Sequence, residues 1–173
     1  MKIDVLGLGE SINRFNHSRN ITIGVNDIFK HHSVDYLCIV DVPNKFTKER
    51  LHTILLSTPK KFFTQLDEWQ PLVNNYQKIK FANGRGNLKD LNNRELFCYS
   101  NNSTFVACVI AFKLGAKEIY LYGADFNNHP NFSENSLNRV EKDFNDLYNA
   151  LLTFGCTLYV TKESCLSAFI PSF

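Results

Sequence analysis

The sequence predicts an α/β fold: a Rossmann-like, mainly parallel sheet with helices on both faces, in a single domain covering residues 1–173. Three observations carry that expectation. Short apolar runs alternate with helical periodicities along the chain, as βαβ units do. The first three runs end in Gly, Asn-Asp and Asp, and a parallel sheet gathers such ends at one edge, where open α/β sheets bind ligands. The stretch 101–126, NNSTFVACVIAFKLGAKEIYLYGADF, then holds a polar loop, an apolar helix, a glycine stop, a strand and a carboxylate in direct succession.

Lys2 to Leu6 is a β-type run that breaks into Gly7, Leu8, Gly9, Glu10 and Ser11. A strand followed by a glycine turn is a phosphate-loop geometry. A full G-x-G-x-x-G needs a small residue where Ile12 stands, and no clear long helix follows, so an ordinary tight βα turn reads as well. Ile21 to Val25 is the second strand, closed by Asn26 and Asp27, and Tyr36 to Val40 the third, closed by Asp41. Asn and Asp form turns unaided; it is their recurrence at the same strand end that points to a site. Thr47 to Leu56 has a polar start and an apolar end and reads as a short helix. Lys61–Thr64 and Lys78–Phe81 read as strands, with a helical turn in the loop between them. The segment from Asn83 to Arg94, rich in Gly and Asn, reads as a mobile surface loop whose Arg85, Lys89 and Arg94 suit either plain solvation or an anion.

From Thr104 to Leu114 the residues are apolar on nearly every face, which fits a helix clamped between a sheet and further cover, with Gly115 ending it. Asn101, Asn102 and Ser103 put small hydrogen-bonding side chains at its start, as a cap or as an anion contact. Glu118 to Tyr122 reads as a buried strand with Asp125 leaving its carboxyl end. Leu137, Val140, Phe144, Leu147 and Leu151 recur at helical spacing, with Glu141, Asp143 and Asp146 assigned to the outer side. Gly155 ends that helix, Thr157–Val160 gives a last strand, and Cys165–Ile170 a closing turn.

With 44% hydrophobic and 21% charged residues, 173 residues suffice for one domain with a two-sided core. A net charge of +2 without long runs of one sign demands neither nucleic acid nor an acidic membrane. Five scattered cysteines, never in C-x-x-C spacing, fit a reduced, cytoplasmic setting and no zinc site. No apolar stretch reaches the ~18 residues of a membrane span, and no export signal stands at the start. A homo-oligomer is left open.

Taken together, GLGES after the first strand, Asn26 after the second and STFVACVIAFKLGAKEIYLYGADF resemble the bacterial single-domain sialyltransferases. The segment LGAKEIYLYGADF is the most specific part, and TLYV with ESCLSAFIP resembles the end of that fold. The MptE-like 6-hydroxymethylpterin pyrophosphokinase domain shares the glycine loop and the G-x-D-[LF] element. What the sialyltransferase resemblance implies is a nucleotide held by Gly7, Gly9, Ser11 and Asn26, with Asp41 beside the base or ribose, Ser103 and Thr104 at the phosphates, and Asp125 orienting the site; Asn102, from the helix start, joins the expected binding residues. The chain departs from that pattern at Glu10, Thr104, Ser100 and Asn127, which stand for a Pro, a Gly, an acceptor-binding Arg and a phosphate-contacting Tyr. The long segment that carries the family's catalytic His is nearly absent; an ungapped match sets Asn138 opposite that His.

His129 is the only His after Asp125, and so the candidate base that takes a proton from an acceptor hydroxyl. The leading expectation is a compact, metal-independent glycosyltransferase using a nucleotide-sugar donor, CMP-linked in the family, and a sugar-containing or other hydroxyl acceptor. One alternative is a pyrophosphokinase-like enzyme in which Asp41 and Asp125 hold Mg²⁺ on ATP. Another is a module that binds a nucleotide without turning it over.

Overall fold

The computed structural model describes residues 1–17, 19–127 and 133–173. Strands β1 (Lys2–Leu6), β2 (Ile21–Val25), β3 (Tyr36–Cys38), β4 (Lys61–Thr64) and β5 (Tyr76–Lys78) join β8 (Glu118–Tyr122) and β9 (Thr157–Val160) in a seven-stranded sheet of order β5-β4-β3-β2-β1-β8-β9. Every pairing in it is parallel. A separate parallel pair, β6 (Lys80–Phe81) and β7 (Leu96–Phe97), stands beside it. The strand order reverses at β1, whose neighbours β2 and β8 lead the chain in opposite directions, and a crevice opens at the carboxyl end of such a switch point.

Three α-helices follow the expectation: α1 (Lys48–Leu55), α2 (Ser103–Lys113) and α3 (Glu134–Thr153). Thr47 caps α1, its hydroxyl accepting from the Arg50 N–H. Residues 104–111 of α2 are all buried, since the helix lies on β1, β2 and β8 and also meets β7, with Phe105 edge-on to Phe144 of α3 at 5.7 Å. Alternation along the strands splits the core in two. Ile3, Val5, Ile23, Ile119 and Leu158 face α2 and α3, whereas Leu6, Leu37, Ile39 and Phe62 face α1 and several 3-10 turns. Gly115 (φ 94°) and Gly155 (φ 67°) end α2 and α3 in the left-handed conformation their positions suggested.

Three local expectations are corrected. The run 78–81 is not one strand: β5 ends at Lys78, Ile79 is buried, and the chain leaves the main sheet to start β6. Asp143 does not face outward on α3; it is 7% exposed, accepts from Ser100 Oγ at 2.6 Å and pairs with Arg85 at 3.1 Å. The 83–94 segment is accordingly anchored rather than solvated, since Gly86 N–H donates to the Tyr99 carbonyl, Leu91 is buried, and Lys113 Nζ donates to the Leu91 carbonyl. A buried carboxylate needs a cation and donors. The sequence marks Arg85 as suited to an anion but does not show that the anion is Asp143.

All five cysteines are free. Among the described residues no helix is long and apolar enough to cross a membrane.

Candidate functional site

β1 and β8 continue their pairing beyond the sheet: Gly7 N–H donates to the Tyr122 carbonyl and Gly9 N–H to the Gly123 carbonyl, both at 2.8 Å. This approach explains the glycines. A Cβ on Gly7 would lie 2.3 Å from the Gly123 carbonyl oxygen, one on Gly9 2.6 Å from Asp125 Oδ2, and one on Gly123 (φ 64°) 2.5 Å from the Gly7 carbonyl oxygen. The G-x-G turn therefore locks two loops to one another, and it leads into a 3-10 turn (Glu10–Arg14), not an α-helix. Gly9 borders the crevice, while Gly7 lies buried behind it.

Ser11 stands in the same knot. Its N–H donates to Asp125 Oδ2 at 2.8 Å and its hydroxyl to Asp125 Oδ1, while the Gly123 N–H (2.9 Å) and the Thr161 hydroxyl (3.0 Å) donate to Ser11 Oγ. At 4% exposure, Ser11 holds Asp125 in place, and Asp125 itself is 8% exposed. Ser164 Oγ and the Cys165 N–H close the tail against the Ala124 and Asp125 carbonyls.

The carboxyl edge opens into a cleft of about 500 Å³. Gly9, Asn26, Asp41, Asn102, Ser103, Thr104 and Asp125, all expected in the site, line it. Asn102 caps α2, its Oδ1 accepting from the Thr104 and Phe105 N–H groups at 2.9 and 3.2 Å, so the cap satisfies two of the helix's unpaired donors. Ser103, half-buried, begins the helix on the cleft wall. Asp41 is exposed, and its backbone carbonyl is fixed by the Trp69 indole N–H at 2.8 Å. Among the described residues Asn26 is one of three non-glycine residues with positive φ (52°), and its buried Oδ1 has no hydrogen-bond partner there.

Sequence reasoning missed Lys45, Phe46 and Arg50, which complete the β3 end of the cleft. Arg50 Nε and Nη2 donate to Asp27 Oδ1 at 2.8 and 2.6 Å, and the guanidinium lies 5.1 Å over the Phe46 ring. Burial pushes the Asp27 carboxyl up, but the Arg50 guanidinium and Lys30 more than reverse this and hold it below the ordinary value. No local pattern links Asp27 to an arginine 23 positions away.

A second cavity, about 760 Å³, shares the Leu8, Gly9, Asp125 and Phe126 wall and extends towards Arg14, Asn127 and Glu163. Asn138 is exposed on α3. His129 lies outside the described residues. His17, His31 and His52 are exposed; His32 is half-buried against Phe15, where burial, His17 and His31 lower its imidazole pKa. Among the described residues no group of three or more His, Cys, Asp or Glu is arranged to hold a metal ion.

No family model matches the chain, and no curated protein matches it significantly. Solved structures do. The monofunctional α-2,3-sialyltransferase Cst-I from Campylobacter jejuni gives a TM-score of 0.61 at 18% identity, over 99% of this chain and 79% of that one. The sialyltransferase CstII from Campylobacter jejuni, in complex with the substrate analogue CMP-3FNeuAc, gives 0.59 at 17% identity, over 99% and 84%. CST-II in complex with a trisaccharide acceptor and CMP gives 0.58 at 19% identity, over 98% and 85%. At these identities the likeness shows the fold, and the Rossmann-like α/β expectation holds over nearly the whole chain.

Proposed function

We propose that the chain is a sialyltransferase-like glycosyltransferase that moves a glycosyl group from a CMP-linked donor to a hydroxyl of a sugar-containing acceptor. Asn26 carries the reading. A strained backbone and an unpaired buried carbonyl oxygen are both costs, and they sit together on the wall of the cleft at the switch point, as in a group kept ready for a ligand. The likeness to sialyltransferases solved with CMP, a CMP-sugar analogue and an acceptor supports the choice of donor and acceptor class.

In this reading Ser103 and the start of α2 meet the donor phosphate, and the knot of Gly7, Gly9, Ser11 and Asp125 keeps the β1 and β8 loops rigid beneath it. The acceptor oxygen forms a bond to the anomeric carbon as the bond from that carbon to the phosphate oxygen breaks. The electron pair leaves with CMP, and the acceptor proton passes to His129 acting as base. No metal is assigned a step.

The test is a thermal-shift panel of CMP, UDP, GDP, ADP and ATP with and without Mg²⁺, followed by CMP release in the presence of CMP-sialic acid and a galactose-containing acceptor. Stabilisation by CMP without Mg²⁺, about 2–3 kcal/mol at ligand a hundredfold above Kd, is the expected outcome. A shift with ATP only when Mg²⁺ is present would replace this reading with the pyrophosphokinase. Binding without CMP release would leave a nucleotide-binding module. Full turnover in His129→Ala would remove His129 from its role.

A further inference from the structure

We propose that Arg50 is the specificity-determining residue for the group being transferred, its guanidinium reading a polyhydroxylated glycosyl unit seated at the β3 end of the cleft. The inference rests on the donor reading above and adds which end of the donor lies where. Along the carboxyl edge the cleft passes from Asp125 after β8 to Gly9 after β1, Asn26 after β2 and Asp41 after β3. Three inter-strand steps of about 4.8 Å make this about 14 Å, room for a phosphate and a further group beside it.

The two ends differ in what they offer. At the β1 and β8 end Ser11, Asp125 and the Gly123 N–H are spent on one another, the start of α2 borders the cleft beside them, and the buried Glu163 Oε2, without a partner among the described residues, belongs to the neighbouring cavity. At the β3 end Asn26, Asp41, Lys45 and Arg50 bring donors and acceptors to one wall. Asp27 takes the Nε and Nη2 edge of Arg50, leaving Nη1 with no partner among the described residues. Phe46 beneath it is 9% exposed, with the guanidinium over its face and Trp69 edge-on at 5.9 Å, so it gives a base no open face to stack on. Directional donors and acceptors without an aromatic platform suit a ring of hydroxyls better than a planar base. Asp41, expected beside the base or ribose, moves to the glycosyl end in this reading. Because Asp27 neutralises Arg50 from behind, the guanidinium selects by the geometry of its fork more than by charge, so lysine is no substitute.

The experiment is isothermal titration of the unsubstituted chain, Arg50→Gln and Arg50→Lys, each with CMP and with CMP-3FNeuAc. We expect Arg50→Gln to bind CMP within about twofold of the unsubstituted chain and CMP-3FNeuAc at least about tenfold more weakly, with Arg50→Lys recovering little of that loss. CMP binding doubles as the check on folding, and Arg50→Lys carries the same comparison should Arg50→Gln not fold. Equal weakening for the two ligands would put Arg50 on the nucleotide and overturn the inference, as would unchanged affinity for both. If the unsubstituted chain bound neither ligand, the donor reading itself would fall and this inference with it.

Discussion

Two halves of one sheet edge behave in opposite ways. Around β1 and β8, the glycine turn and its carboxylate are engaged internally: Ser11 with Asp125, Gly123 and Thr161, and the glycine N–H groups with carbonyls across the gap. Around β2 and β3, the buried Asn26 Oδ1 has no hydrogen-bond partner among the described residues, and Asp41, Lys45 and Arg50 line the cleft; the left-handed backbone of Asn26 (φ 52°) does not by itself mark this half, since Phe126 after β8 shares it (φ 58°). The same residue types, Gly, Ser, Asn and Asp, thus mark rigidity in one half and readiness for a ligand in the other. Motif content does not separate the two; the hydrogen bonding of the motif residues themselves does.

The sharpest way to break this comparison is Gly7→Ala. With a Cβ only 2.3 Å from the Gly123 carbonyl oxygen, the β1 and β8 loops must part, and we expect a loss of about 3 kcal/mol in urea denaturation. A change under about 1 kcal/mol would mean that the loops separate easily and the knot is not rigid. Ser11→Ala comes next. It removes a hydrogen bond to a buried carboxylate and leaves the Gly123 N–H without an acceptor, for an expected loss of about 2 kcal/mol, with CMP affinity falling only as far as Asp125 shifts. Lost CMP binding at unchanged stability would instead assign Ser11 to the ligand.

Asn26→Gly tests the other half. Relief of the left-handed strain and the added freedom of the unfolded chain roughly cancel, so stability should stay within about 0.5 kcal/mol while CMP-3FNeuAc affinity drops at least about tenfold. Stability loss without binding loss would make Asn26 structural and erase the contrast. The last effect is a pH dependence. Because the folded Asp27 carboxyl is held below its ordinary value of 3.8, its contribution is fully present above that value and is lost as pH falls through the lowered one. Denaturation midpoints should therefore fall more steeply below pH 3.8 in the unsubstituted chain than in Arg50→Gln, where the lowering partner is gone. Parallel slopes would show that the pair contributes nothing measurable.

Much of the edge was legible because it depends on order along the chain. The strand ends Gly7, Asn26, Asp41 and Asp125 were placed together by the rule that parallel strands share a carboxyl edge, and six of the eight expected binding residues line one cleft. The roles were less legible. That Gly7 and Ser11 answer to Gly123 and Asp125 requires knowing that β8 lies against β1, a contact across more than 100 residues. Asp143 read as solvent-facing because charge on a helix usually is, and only the return of the 83–94 segment over α3 brought Arg85 to it.

By itself, the sequence determined what is local and periodic: the alternation of strands and helices, the burial of α2 on all sides, the glycine stops at 115 and 155, and the chain order that sends polar strand ends to one edge. Tertiary structure alone decided which of those polar groups meet one another and which are left for a ligand. That division depends on hydrogen-bond partners brought together from distant parts of the chain, such as Ser11 with Asp125 and Arg50 with Asp27, and no window of sequence contains both members of such a pair.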